Sequence, residues 1–314
     1  MCIVLRAPRV QRFTASDCTV RSRCNHYIST RKQSGVPLEV KNAILSLAVG
    51  AASLATVAAH ASCASAPPSS VLNLTHWKLT LPVDSHNGTS GEAAEVEAPD
   101  LADGYRSGYF CVNPAGGVKF WAPVDGATTD DSEYPRSELR YMLDPNDDNA
   151  NWAPDNDNAS LSARLLVERV PTSTQKVVIG QVHGFQTNAW IKLRYQYHAS
   201  SHTGSIAALV NQDPSSSNST NVGEIYNLPN GEALSYSITV ASREITIKVN
   251  GRLLTSFHVQ SGWLHVPMYF KAGSYDQASG SNSTDGGRVT FYSLGANAQI
   301  DGGGDPIFES GLEQ

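Results

Sequence analysis

The chain has 314 residues, 40% of them hydrophobic and 17% charged, with a formal net charge of −6. That length holds one large all-β domain or two smaller ones. The acidic balance excludes a nucleic-acid binder, which needs a basic footprint.

The charge is unevenly placed. The first 65 residues carry eight Lys/Arg against Asp17 and Glu39; without them 15 cations face 27 acids, a balance of −12. From Ala43 to Ala59 the chain is small and apolar (AILSLAVGAASLATVAA), with Lys41 just ahead. This run is shorter than the roughly 20 residues of a membrane span and fits the apolar region of a signal peptide. Small-residue cleavage patterns follow at Ala59-His60-Ala61 and Ala64-Ser65-Ala66. Residues 1–66 are therefore read as a leader, a basic upstream extension from a misplaced start followed by a signal peptide. An attached membrane anchor is the competing reading. Lipidation at Cys63 is disfavoured, because His60 stands where that motif wants an aliphatic residue. The protein is expected to be secreted or periplasmic, without stable membrane association. Cys2, Cys18, Cys24 and Cys63 fall in this leader. Cys111 is then left alone, a buried small hydrophobe in a domain held by its core rather than by disulfides.

Residues 67–300 read as one domain of alternating strands. His76–Leu81 places Trp77, Leu79 and Leu81 on one face and stops at Pro82. Residues 98–106 hold a short helix at most. Strands follow at 117–122, 161–170, 177–183 and 190–198, the last with Ile191, Leu193, Tyr195 and Tyr197 on one side. Asp144 to Asn158 is an Asn/Asp-rich loop able to reach over a neighbouring surface. Strands at 234–240 and 244–249 precede Asn250-Gly251, a type I′ hairpin signal leading into 252–259. Strands at 266–275 and 288–294 are separated by a polar surface loop from Gln277 to Gly287. The tail, 301–314, lies outside the fold. About a dozen short strands without long helical periodicity predict a jelly-roll sandwich of two antiparallel sheets, concanavalin A-like, with a concave groove.

Three segments carry the chemistry. They are Arg136-Ser137-Glu138-Leu139-Arg140, Gln181-Val182-His183, and the run from Tyr269 to Gln277 (YFKAGSYDQ). Strand alternation puts Arg136, Glu138 and Arg140 on one face, Gln181 and His183 on another, and Tyr269, Lys271, Tyr275 and Gln277 on a third. Side by side, these faces form a cationic, proton-active groove suited to an anionic, oxygen-rich polymer. Each residue also has a plain structural reading. Arg136–Glu138–Arg140 can be an ion-pair ladder, an isolated His183 would more often be packing, and Tyr269 can be a groove wall. A glycoside hydrolase would need two carboxylates about the bond, and Glu138 has no carboxylate partner in the motifs.

The three segments resemble, in order and spacing, those of alginate lyases of polysaccharide lyase family 7. Trp77-Lys78-Leu79-Thr80-Leu81-Pro82 resembles that family's first strand, and the resemblance spans about residues 72–296. It implies β-elimination on a 4-O-linked uronate polymer, alginate, by an endolytic monomer with neither cofactor nor metal. It assigns Arg136 and Gln181, with His183, to neutralising the C6 carboxylate, and Tyr275 to protonating the departing O4. His183 would be the C5 base for guluronate, whereas Tyr275 would serve as both base and acid for mannuronate. Glu138, Arg140, Lys271, Tyr269 and Gln277 would contribute to substrate binding, Glu138 by orienting the arginines. Val182, where isoleucine is the alternative, accompanies a mannuronate preference in this family. Ser274 and Asp276 also depart from its common residues; neither is expected to touch the chemistry, with Asp276 adding negative charge near the groove. A lyase on another polyuronate such as glucuronan, or a non-catalytic carbohydrate-binding jelly-roll, are the alternatives.

Overall fold

The computed structural model describes residues 63–299. The leader up to 62, the last residue of the expected domain and the expected tail lie outside them. Fifteen strands occur among the described residues. The first five are β1 (Trp77–Thr80), β2 (Glu95–Val96), β3 (Phe110–Val112), β4 (Val118–Pro123) and β5 (Arg136–Tyr141). Then come β6 (Asn158–Arg169), β7 (Lys176–Gly184), β8 (Ala189–His198), β9 (Thr203–Asn211) and β10 (Ser219–Pro229). The last are β11 (Leu234–Ala241), β12 (Glu244–Val249), β13 (Arg252–His258), β14 (Met268–Asp276) and β15 (Gly286–Gln299). The one α-helix among the described residues is the short Ala98–Ala102, with Pro99 in its first turn, where a missing N–H costs nothing.

These strands form an antiparallel jelly-roll sandwich. One sheet runs β10-β9-β8-β7-β14-β5-β1-β2 and the other β13-β12-β11-β6-β15-β4-β3. Alternation fills the space between them. Leu79, Leu139, Val182, Leu193 and Phe270 point inward from the first sheet, and Phe120, Leu161, Ile238, Ile247 and Phe291 from the second, all fully buried. Each such side chain stabilises the fold by about 1.5–3 kcal/mol on burial. Phe120 meets Phe110 and Phe291 edge-on, with centroids 5.0 Å away in each case. Asn250 and Gly251 both take positive φ, the type I′ geometry expected of the β12–β13 hairpin.

Three expectations are corrected. Cys63 is not lost to the fold with a leader: it forms a disulfide with Cys111, 48 residues on. The amide of Ala64 donates to Val112 O at 2.8 Å and Arg106 bonds Ser65 O, so the folded body extends back at least to Cys63. The bridge has the role a core-only reading denied it, closing a long loop. Asp276 is not near the groove. Its carboxylate is fully buried between the sheets, where it accepts the Gly287 N–H of β15 at 2.9 Å. Burial without a cation raises its pKa well above the usual carboxylate range. Finally, β9 and β10 complete the sheet where no strands were expected.

Candidate functional site

The site lies on the outer side of the eight-stranded sheet, where β7, β14 and β5 run side by side. Register sets Gln181 beside Lys271, Lys271 beside Arg140, and Arg140 beside Lys78. His183 stands opposite Tyr269, Glu138 opposite Gly273, and Arg136 opposite Tyr275. The sequence-predicted residues are thus brought together from three strands, with Val182, Leu139 and Ala272 turned into the core between them.

Glu138 organises the centre. Its side chain is 0% exposed, with Lys271 Nζ at 2.9 Å, Arg136 Nη1 at 3.3 Å and Gln181 Nε2 donating at 2.6 Å. Removing a carboxylate from water costs several kcal/mol, and only converging cations and donors offset that. Burial alone would raise its pKa; Lys271, Arg136 and the Gln181 amide outweigh burial and hold it below the usual range. An ionised carboxylate this enclosed has no surface to offer a substrate. It fixes the donors instead.

Lys271 is buried, and desolvation pulls its ammonium down to about 8, with Arg136 pushing the same way and Glu138 opposing. His183 is half-buried. Loss of water contact, followed by the nearby Lys271 cation, lowers it to about 3, so the ring is neutral at neutral pH. Its Nδ1 lies 2.9 Å from the carbonyl of Gly184, which can only accept. That bond assigns the proton to Nδ1 and leaves Nε2 with a free lone pair, the form of a general base. Tyr269 stacks on the ring at 5.2 Å, its hydroxyl 3.1 Å from Nδ1, and burial pushes that phenol up to about 12.

Tyr275 keeps part of its surface open, its hydroxyl 3.2 Å from Ser132 Oγ and its ring 4.0 Å from the Arg136 guanidinium carbon. It reaches the outer face by the same alternation as Tyr269 and Lys271, in unbroken register with β5, while β14 shifts register against β7 between Ala272 and Tyr275. Gly273 lies where β14 meets β5 closely: a Cβ there would lie 2.4 Å from Ser137 O, a backbone contact that no rotamer can relieve. Arg140 is stacked at 4.2 Å on Tyr269. Gln277 falls beyond the end of β14, and its amide donates to its neighbour Asp276 O at 2.6 Å.

Several groups at the site went unassigned from sequence. Lys78 lies beside Arg140 and Lys192 beside Gln181, both on the outer face. The signal was present: if Trp77 and Leu79, or Ile191 and Leu193, face the core, the residue between them faces out. Ser132 comes from the loop before β5, where no periodic pattern marks it. Asp148 arrives on the 142–157 connection and meets both Lys78 and Arg140.

The sequence profile of the family described as Alginate lyase matches residues 72–298. The chain belongs to that family. An alginate lyase from Klebsiella pneumoniae is 30% identical over 280 residues, covering 73% of this chain and 90% of its own. Alginate lyase A1-II′, a member of polysaccharide lyase family 7, superposes with a TM-score of 0.65 at 29% identity, covering 75% of this chain and all of that one. An alginate lyase from Pseudomonas aeruginosa does so at 0.64 and 32%, covering 72% and 99%. A form of A1-II′ carrying one His→Asn and one Tyr→Phe change was solved in complex with a substrate, GGMG. This alginate lyase is accordingly a family 7 polysaccharide lyase, and the candidate residues lie on strands β7, β14 and β5 in the interior of the eight-stranded sheet.

Proposed function

We propose that the enzyme is exported and cuts alginate within the chain by β-elimination, as a monomer without stable membrane association. Arg136, Gln181 and Lys271 hold the C6 carboxylate of the uronate and spread the charge that builds when its C5 proton leaves. For guluronate, His183 Nε2 takes that proton. The C5 electron pair forms the C4=C5 double bond, the C4–O4 bond breaks, and Tyr275 delivers a proton to O4. For mannuronate, whose C5 proton lies on the other face, Tyr275 acts as both base and acid. The observation that carries this reading is the network in which one buried carboxylate, Glu138, binds Arg136, Gln181 and Lys271 together. A neutral histidine stands one strand step from Gln181, and Arg136 lies over the ring of Tyr275. The histidine and tyrosine changes used to study A1-II′ with its substrate support giving His183 and Tyr275 these parts.

Endolytic cleavage fits the placement of the site in mid-sheet. Three strands extend beyond β7 on one side, and β1 and β2 extend beyond β5 on the other. A long polymer can therefore continue in both directions. The mannuronate preference rests on Val182, which is fully buried between Ile191 and Phe270 and acts through the position of β7. The test is ultraviolet absorbance of the conjugated uronate on separated mannuronate and guluronate blocks. The reading expects a rise with both and a faster one with mannuronate; a faster rise with guluronate would overturn the preference. Viscosity falling ahead of absorbance marks internal cleavage, and release of small products without early loss of viscosity would refute it.

A further inference from the structure

One strand beyond the Glu138 network, Lys78 and Arg140 form a second cationic pair on the same face. Their side chains are 6% and 12% exposed. Lys78 Nζ lies 2.8 Å from Glu95 and 2.9 Å from the Asp148 carboxylate. Burial pulls its pKa down, and the two acids outweigh burial, so it stays charged with a raised value. Arg140 Nη1 lies 3.3 Å from that same carboxylate, and Nη2 donates to the Asp148 backbone carbonyl at 2.8 Å. Arg140 has no other ion pair among the described residues, and its buried Nε has no hydrogen-bond partner. The two cations belong to strands. Asp148 does not: it is about half exposed and sits on the strand-free 142–157 connection, held locally by turns such as Asn149 N on Asp147 Oδ1.

The register adds the second observation. Lys192, Gln181, Lys271, Arg140 and Lys78 stand beside one another on five consecutive strands. Adjacent strands are about 4.8 Å apart. A polyanion laid across the strands meets a donor at each step, and the donors after Lys271 are Arg140 and Lys78. A planar guanidinium and an ammonium converging on one carboxylate is the arrangement a uronate would meet. Asp148 already supplies that carboxylate.

We propose that Lys78 and Arg140 form a carboxylate subsite for the polymer, and that Asp148 occupies it as an internal competitor when no polymer is bound. The proposal rests on the alginate reading and adds to it a residue that competes with the polymer for one subsite. A uronate must displace Asp148 to bind there, and the released 142–157 connection then lies beside the bound chain.

The experiment is steady-state kinetics on long alginate with Asp148→Asn, Asp148→Glu and Asp148→Asn combined with Lys78→Gln, alongside melting curves. Removing the competing charge lowers KM about twofold to fivefold, the range of a partly exposed ion pair, with the change in KM rather than kcat. Asp148→Glu keeps the wild-type KM. In the Lys78→Gln background the benefit of Asp148→Asn shrinks, because the pair it frees is incomplete. An unchanged or raised KM in Asp148→Asn overturns the proposal, a raised value meaning that Asp148 props the cations in place for substrate. Wild-type enzyme that gives no absorbance rise would instead refute the alginate reading itself.

Discussion

On the seven-stranded sheet, β6, β11 and β12 turn Ser160, Ser162, Ser237, Thr239, Thr246 and Lys248 outward, all at least partly exposed. On the eight-stranded sheet, β5, β7 and β14 turn Arg136, Glu138, Gln181 and Lys271 the same way, and all four are buried. Both faces follow one alternation, with a shared core beneath. The first is a solvated Ser/Thr surface that costs the fold little. The second confines three charges and an amide in one network that is stable only as a whole. Fold physics does not ask for that arrangement, since apolar residues of similar volume would serve stability as well or better. The difference separates what the sandwich needs from what the chemistry needs.

The sharpest way to break this comparison is Tyr275→Phe. It should reduce kcat about 10²–10⁴-fold, the usual contribution of a positioned acid–base group, with melting temperature and polymer binding retained. Stopped assays with calorimetric titration check it, and a variant with near-wild-type turnover would return Tyr275 to the status of a wall residue. Glu138→Gln keeps the volume but leaves Lys271 and Arg136 buried without their counter-charge. Denaturant unfolding should show a loss of about 3–5 kcal/mol, against less than about 0.5 kcal/mol for Thr239→Ala on the other face. Replacing Cys63 and Cys111 with serine should cost about 2–4 kcal/mol by freeing the loop between them in the unfolded chain. That loss should leave KM unchanged, which divides stability from the groove.

The pH dependence is a smaller effect that separates two groups in the same network. His183 must be neutral to act as a base, so kcat/KM on guluronate should fall only towards its pKa of about 3. Lys271 must stay protonated to hold a carboxylate, so activity should fall as pH rises through about 8. Lys271→Arg should move that alkaline limb upward. The sign for stability is opposite to that of a salt-bridged histidine: His183 is depressed below its unfolded value of 6.5. Stability is therefore lost as pH falls from 6.5 towards 3, and His183→Asn should flatten the melting curve's dependence on pH in that window.

Much of this was legible in local pattern. Alternation around Trp77, Leu139, Val182 and Phe270 predicts both the core and the groove face, and Asn250-Gly251 marks its hairpin. β9 was missed because Ile206-Ala207-Ala208-Leu209-Val210 is continuously apolar rather than alternating. β10 was missed because its residues are polar and bulged against β9. The remaining errors came from contacts between distant residues. Cys63 looked like part of a leader until Cys111 stood beside it, and Asp276 looked like a groove residue until Gly287 of the opposite sheet claimed its carboxylate. The alternation places Glu138 between Arg136 and Arg140, but only its three partners show how completely it is enclosed.

The most direct measurement is the ultraviolet absorbance of alginate incubated with wild-type enzyme and with Tyr275→Phe, followed by mass analysis of the products. The account predicts a steady rise and 4,5-unsaturated oligosaccharides from the wild type, with the rise nearly abolished in the variant. Saturated products, or equal rates from both proteins, would contradict it.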